Sequence, residues 1–389
     1  ASILVRIERW AFHHIRMVYM VTIVVTLISI LGIFRIKSEG FIVDDLPKAD
    51  KIYTDLKWFE TNFGGVMPLE IIVDTKKKNG LMRSVKPIAA IDEFSSYLDS
   101  SDATARPLSF VEGLKFAKQA FYDGDTLSYA IPYESDLAFI GPYLKAKKDS
   151  APTTGPNAFN RLISNFIDSN KQKARISVNM KDIGSAKLPE LLAKFETKAN
   201  QIFDTASYKI SFTGSSVSFL EGSSFIINGL KESIFWAFLL ISLCMLYLFK
   251  SIKILFSSLI PNLIPLIVTA GVMGWAGIAL KPSTVLVFSV ALGIVIDVTI
   301  RFLINYKQEL PSHQNQVGPT LIQTIKHTGI SIIYTSLVLI AGFIIFSFSD
   351  FGGTKALGWL TSLTLVVGTI TNLVLLPVLI LTISGKKNG

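Results

Sequence analysis

The stretch ALGIVIDVTIRFLINY, residues 291–306, holds the side chain best placed to do chemistry in this chain. Asp297 lies inside a run of Ala, Leu, Ile, Val and Phe that is otherwise suited to lipid. An ionised carboxylate at bilayer depth is expensive, so it persists only where it faces protein or water and has a partner or a task. Three accounts fit the residue. It could carry a proton or cation, burial favouring the neutral acid so that it loads and releases protons as access alternates. It could be a fixed hydrogen bond or ion pair between helices, or the span could be wrongly placed. The carrier account is preferred here.

The neighbours of Asp297 sharpen the choice. Gly293 stands four residues earlier on the same helical face, where it would thin the helix and let a neighbouring span approach the carboxylate. Arg301 follows at i+4. It could pair with Asp297, which would work against protonation near neutral pH, or snorkel to the headgroups, and snorkelling is preferred. The cluster Tyr334, Thr335, Ser336 offers hydroxyls for a proton relay. Thr299, Ser331, Thr369, Thr371 and Asn372 add polar company, although an isolated Ser or Thr in a membrane helix usually bonds its own backbone. His327 reads as interfacial, and His13, His14 and His313 lack metal-ligand spacing. No nucleophile elbow, phosphate loop or paired catalytic carboxylates stand out, so neither an enzyme nor a cofactor or metal is expected.

The elements that must hold Asp297 are membrane helices. Half of the 389 residues are apolar, and the mean hydropathy is +0.47. Long apolar blocks fall at about 17–34, 232–249, 254–280, 283–304, 328–348 and 356–383, each near the length that crosses about 30 Å of hydrocarbon. If the fourth begins near Ser283, Asp297 sits roughly 21 Å along it, past the midplane. Pro261 and Pro265 in the third block predict a kink or stagger, and Gly271, Gly274 and Gly277 on it predict close helix packing. The expected layout is a cytoplasmic amphipathic lead-in over 1–16, helix 1 over 17–34, an outer domain over 35–230, helices 2–6 over 231–383 and a tail over 384–389.

Charge sets the expected orientation. Residues 35–232 hold 26 Lys or Arg against 25 Asp or Glu, whereas the rest hold 12 against 4. Ten of those twelve, Arg6, Arg9, Arg16, Lys250, Lys253, Arg301, Lys307, Lys326, Lys386 and Lys387, share one side. Only Lys281 and Lys355 lie in the opposite short loops. By the positive-inside rule both termini are cytoplasmic and the large domain is outside. The basic balance therefore reports topology, and no nucleic-acid partner is expected. No cleavable signal is evident, and the chain begins with Ala. The single cysteine, Cys244, lies in the second block, so the outer domain has no disulfide framework and must fold on its own core.

That outer domain reads as mixed α/β. PLEIIVDT (68–75), ARISVNMKD (174–182) and YKISFTG (208–214) have strand composition. DKIYTDLKWFETNF, SVKPIAAIDEFSSYLDS, SFVEGLKFAKQAFY and LPELLAKFETKANQIF have helical spacing, which suggests a small sheet with helices on one face. KKDSAPTTGPN (147–157) reads as a loop. From about Ser216 a helix should run directly into the second apolar block.

One span, a large α/β domain and then five spans with Gly-x-x-x-Asp in the fourth resembles one half of an RND-superfamily transporter, more narrowly its MMPL-type branch of hopanoid and mycolipid exporters, which is related to Patched and sterol-sensing proteins. The residues that carry the likeness are FETNFGGVMPLEIIVDT (59–75), LSFVEGLKFAKQAFY (108–122), SFTGSSVSFLEG (211–222), SSLIPNLIPLIVTAGVMGWAGIALKPSTVLVFSVALGIVIDVTIRFL (257–303) and GFIIFSFSDFGGTKALGWLTSLT (342–364). The likeness is to the second half, so an N-terminal half or an equivalent six-helix chain is the implied partner. It implies an α-helical membrane protein with a periplasmic α/β ferredoxin-like porter domain in the inner membrane of a Gram-negative bacterium. The implied function is proton-driven export of a hydrophobic or lipid-like substrate, with Asp297 at the half interface. Related second halves often read Gly-x-x-x-Asp-Asp-Thr-Ile-His, whereas here Val298 and Arg301 replace the second acid and the histidine. The alternatives are a SecD/SecF-like accessory of protein translocation and a non-transporting lipid-sensing scaffold.

Overall fold

The structure is a computed structural model that describes residues 2–136 and 164–384, with side chains over 4–136 and 164–383. The loop expected at 147–157 and the tail beyond 384 lie outside the described residues. The chain divides into two units, Lys48–Gly222 and the combination of Ala1–Pro47 with Ser223–Gly389.

In the first unit, helix α3 (Lys51–Phe63) starts where the Asp50 carboxylate accepts the Ile52 backbone N–H and stops at Gly64, whose φ of 74° suits a residue without Cβ. Strand β1 (Met67–Asp74) is central, with β2 (Lys173–Met180) and β3 (Lys209–Thr213) antiparallel on either side. Alternation puts Met67, Leu69, Ile71 and Val73 of β1 and Ala174, Ile176, Val178 and Met180 of β2 on one buried face. Helices α4 (Lys86–Asp99), α5 (Phe110–Phe121) and α6 (Leu188–Ile202) close over it with Ile88, Ile91, Phe94, Leu98, Phe110, Leu114, Phe195 and Ala199. The Val, Leu, Ile, Met and Phe side chains among them each contribute about 1.5–3 kcal/mol on burial. The opposite face is polar: Glu70 accepts from Ser177 at 2.9 Å and pairs with Arg175 at 3.1 Å.

The second unit holds the apolar helices. Helix α1 (Ser2–His13) is amphipathic and buries Leu4 and Ala11. It is followed by α2 (Ile15–Ile33), α7 (Ser215–Phe249), α8 (Ile252–Trp275), α9 (Pro282–Glu309), α10 (Val317–Ile344), α11 (Gly352–Ile370) and α12 (Leu376–Ser384). A π-helical segment, Thr371–Leu375, joins the last two. Among the described residues six helical stretches, Ile15–Ile33, Ser215–Phe249, Ile252–Trp275, Pro282–Glu309, Val317–Phe348 and Gly352–Ile383, are long and apolar enough to cross a bilayer. The 35 residues of α7 form one unbroken helix, as the sequence suggested, and at about 52 Å it outruns the hydrocarbon.

Small residues bring α2 against α8. A Cβ on Gly271 would lie 2.4 Å from the Ser29 Cα, and one on Gly274 only 1.8 Å from the Gly32 carbonyl oxygen. Gly277 does not share this role: its φ is +69°, it lies beyond the helix, and a Cβ there would meet nothing within 4 Å. Trp275 completes the α2 contact by donating its indole N–H to the Ile28 carbonyl at 3.1 Å.

Candidate functional site

Helix α9 has two unlike faces. Val287, Ala291, Leu292, Val295, Ile296, Val298, Phe302 and Leu303 are buried among its neighbours. Leu286, Val290, Gly293, Asp297, Arg301 and Ile304, at intervals of three and four, form one exposed stripe. Asp297 and Arg301 stand on it, their side chains 52% and 49% exposed, and the guanidinium donates to the carboxylate. Arg301 therefore pairs with Asp297 and does not snorkel away, because one helical turn places its guanidinium directly over the acid. Gly293 receives no neighbour: among the described residues nothing lies within 4 Å of where its Cβ would be. Val298 points inward beside Phe302 and faces apolar packing.

The expected hydroxyl relay does not assemble. Tyr334, Thr335 and Ser336 follow one another, and consecutive helical residues point about 100° apart. Tyr334 is exposed, Ser336 is buried, and Thr335 donates back to the Ser331 and Ile332 carbonyls at 2.8 and 3.1 Å. Among the described residues none of the three hydrogen-bonds Asp297. What adjoins the ion pair is a cleft of about 300 Å³ lined by Arg301, Asn305, His327, Thr328 and Ser331. His327 there reaches Glu309 at 3.3 Å and Gln323 at 2.9 Å.

The polar groups that do converge are on the hidden side of α9. Thr299 Oγ1 lies 2.6 Å from Asn262 Oδ1 of α8 and 2.5 Å from Asn372 Oδ1 of the π segment. Both amides are oriented by their own helices: Asn262 donates to the Ser258 carbonyl and Asn372 to the Gly368 carbonyl. Pro265 has no N–H, which leaves the Pro261 carbonyl without its helical donor, and Thr371 supplies one at 2.9 Å. One layer away Thr269 and Thr364 share a hydrogen bond of 2.6 Å. All of these side chains are buried. Sequence reading named Thr299, Thr371 and Asn372 as company for Asp297. Their actual partners are each other and the Pro-Asn-x-x-Pro stretch of α8, which the 200° between residues 297 and 299 requires. Among the described residues no three His, Cys, Asp or Glu side chains come together in a metal-binding group.

The family model described as MMPL matches residues 145–388, well over half of the chain. The chain belongs to the MMPL family. The match is consistent with the C-terminal half of an MMPL-type RND transporter, and membership points to RND-like transport of lipid-like substrates. With six apolar helices it makes the chain a multi-pass membrane protein. No curated protein matches the chain. Within this MMPL chain the matched residues include the α9 stripe, the buried Thr299 cluster and the Pro261–Pro265 stretch.

Proposed function

We propose that this MMPL chain is one half of a secondary active transporter that exports hydrophobic or lipid-like substrates, driven by the proton motive force. The observation that carries the reading is the open stripe on α9. An ion pair turned toward lipid tails would be unstable, so this stripe needs a protein face or a water path over it. A second six-helix half, on the same polypeptide or another, is the partner that fits. The ion pair makes coupling conditional on the partner face: a change there must separate Arg301 from Asp297.

The remaining parts follow the same reading. The sheet β2-β1-β3 with α4, α5 and α6 over one face serves as a ferredoxin-like porter domain on the periplasmic side. The termini are cytoplasmic, in the inner membrane, by the positive-inside bias. The protein is a carrier and not an enzyme; it uses no cofactor and needs no nucleic acid.

The ion pair also supports a second reading, a fixed structural pair within α9 in a chain that does not itself move protons. Two variants in the assembled transporter separate them. Asp297→Asn and the charge-free double variant Asp297→Asn/Arg301→Gln should both lose substrate export by about tenfold or more while the halves still co-purify. Export by the double variant at the wild-type rate would falsify proton coupling through this half.

A further inference from the structure

Where α8 ends and α9 and α11 begin, the chain encloses an open cavity of about 390 Å³, lined among others by Glu39, Phe41, Lys281, Thr284, Lys355 and Trp359. The segment after α2 forms one wall and is tied down by backbone. Leu280 donates its N–H to the Lys37 carbonyl at 2.8 Å, and Gly352 donates to the Asp45 carbonyl at 2.9 Å. The size suits a small ligand or the head of a larger one.

The charges around the cavity are not all settled internally. Lys281 is committed: its one ammonium is shared by the Asp45 carboxylate at 2.5 Å and that of Asp44 at 3.5 Å, so these two acids keep a surplus negative charge at the cavity that adds to Glu39. Lys355 and Glu39 line the same cavity, and among the described residues neither has an oppositely charged partner. Lys355 lies in the first turn of α11, and Thr284 in the first turn of α9, so two helix N-termini add partial positive charge near the lysine. A ligand of one sign would satisfy Lys355 or Glu39 and be repelled by the other. A ligand with both signs satisfies both.

The surroundings identify the rest of that ligand. The cavity lies at the ends of apolar spans, where headgroups sit, and Phe41 and Trp359 line it. Trp275, Phe348 and Phe351 near the same helix ends are exposed, as the aromatic belt of a membrane boundary would be. We propose that this cavity binds the headgroup of a zwitterionic amphiphile, its phosphate toward Lys355 and the α11 N-terminus and its ammonium toward Glu39. The site rests on the membrane-spanning reading of the helices and not on proton coupling.

The test is native mass spectrometry of the full chain released from detergent micelles carrying phosphatidylethanolamine or phosphatidylglycerol. Phosphatidylethanolamine should be retained about tenfold better, and Lys355→Gln and Glu39→Gln should each remove most of that advantage. Asp297→Asn should leave retention unchanged, so failure of the transport reading and failure of this site are distinguishable. Unfolding midpoints of the two cavity variants check that the fold persists, and a Lys355→Glu/Glu39→Lys double variant tests charge placement without changing net charge. Soluble phosphoethanolamine at millimolar concentration should displace the lipid, and inorganic phosphate should not. Equal retention of the two lipids, full retention by both Gln variants, or displacement by phosphate alone would overturn the proposal.

Discussion

Thr299 of α9 and Asn262 of α8 are joined at 2.6 Å in a fully buried layer, and Asn372 approaches the same hydroxyl at 2.5 Å. A hydroxyl carries one proton, and two amide carbonyl oxygens compete for it. Because both amide nitrogens are held by backbone carbonyls, neither side chain turns over without losing a bond of its own.

Removing that proton should therefore be felt. Thr299→Val keeps the shape and leaves two buried carbonyl oxygens without a side-chain donor, at a loss of about 1–3 kcal/mol. Thr299→Ser keeps the donor and loses one methyl, about 0.8 kcal/mol. Denaturant unfolding in detergent reads the difference, and a Val variant as stable as wild type would refute the role given to this hydroxyl.

The proline partnership on α8 makes a coupling prediction. Pro265→Ala returns an N–H to the Pro261 carbonyl, so the hydroxyl of Thr371 becomes redundant there. Thr371→Val should cost about 1 kcal/mol in the wild type and clearly less in the Pro265→Ala background. A double-mutant cycle measures the coupling; strict additivity would show that Thr371 does not replace the missing donor.

Two glycines should answer opposite ways to the same substitution. At Gly274 a Cβ falls 1.8 Å from a backbone oxygen of Gly32, so Gly274→Ala must push α2 off α8, a loss of about 1–3 kcal/mol or more. At Gly293 nothing lies within 4 Å, and Gly293→Ala should stabilise this chain alone by up to about 1 kcal/mol through helix propensity. Thermal unfolding of the isolated chain decides both. Any penalty at Gly293 should emerge only with a second half present.

The Lys48–Gly222 unit carries a pH dependence at Glu112. Burial by itself pushes this carboxyl up, but hydrogen bonds from Tyr129, Arg106 and Lys115 outweigh it and hold it below its ordinary range. A depressed acid stabilises the fold above its unfolded pKa, and that contribution is lost as pH falls below the ordinary glutamate range and through the depressed folded value. Glu112→Gln should lower stability at neutral pH and flatten the acid limb of the curve. Circular dichroism across pH 2–7 (about five units, spanning the carboxylate range) is the measurement, and an unchanged limb would contradict it.

Much of the architecture was legible in the chain because each signal is local. The strand segments near 68–75, 174–182 and 208–214 alternate with period two, and the segments that became α3, α4, α5 and α6 repeat with the helical period. The run from Ser215 into the second span could be read as one helix since no proline interrupts it, and it continues through Gly222 and Gly229. The candidate site was legible only in part. Asp297 stood out because a charge in an apolar run is visible in one dimension. The relay assigned to Tyr334, Thr335 and Ser336 rested on adjacency along the chain, and a helix separates adjacent residues around its axis.

The sequence by itself determined which helices are long and apolar enough to cross a membrane, how many residues the α/β unit has for a core, and that one acid interrupts an apolar run; composition and period suffice for these. Only the tertiary structure decided that Arg301 folds onto Asp297 on an open stripe, and that Thr299, Asn262 and Asn372 meet on the hidden one. The physical reason is that hydrogen bonds and ion pairs act within about 3 Å. Residues 262, 299 and 372 come that close only once three helices have settled their rotations against one another, which no local pattern along the chain specifies.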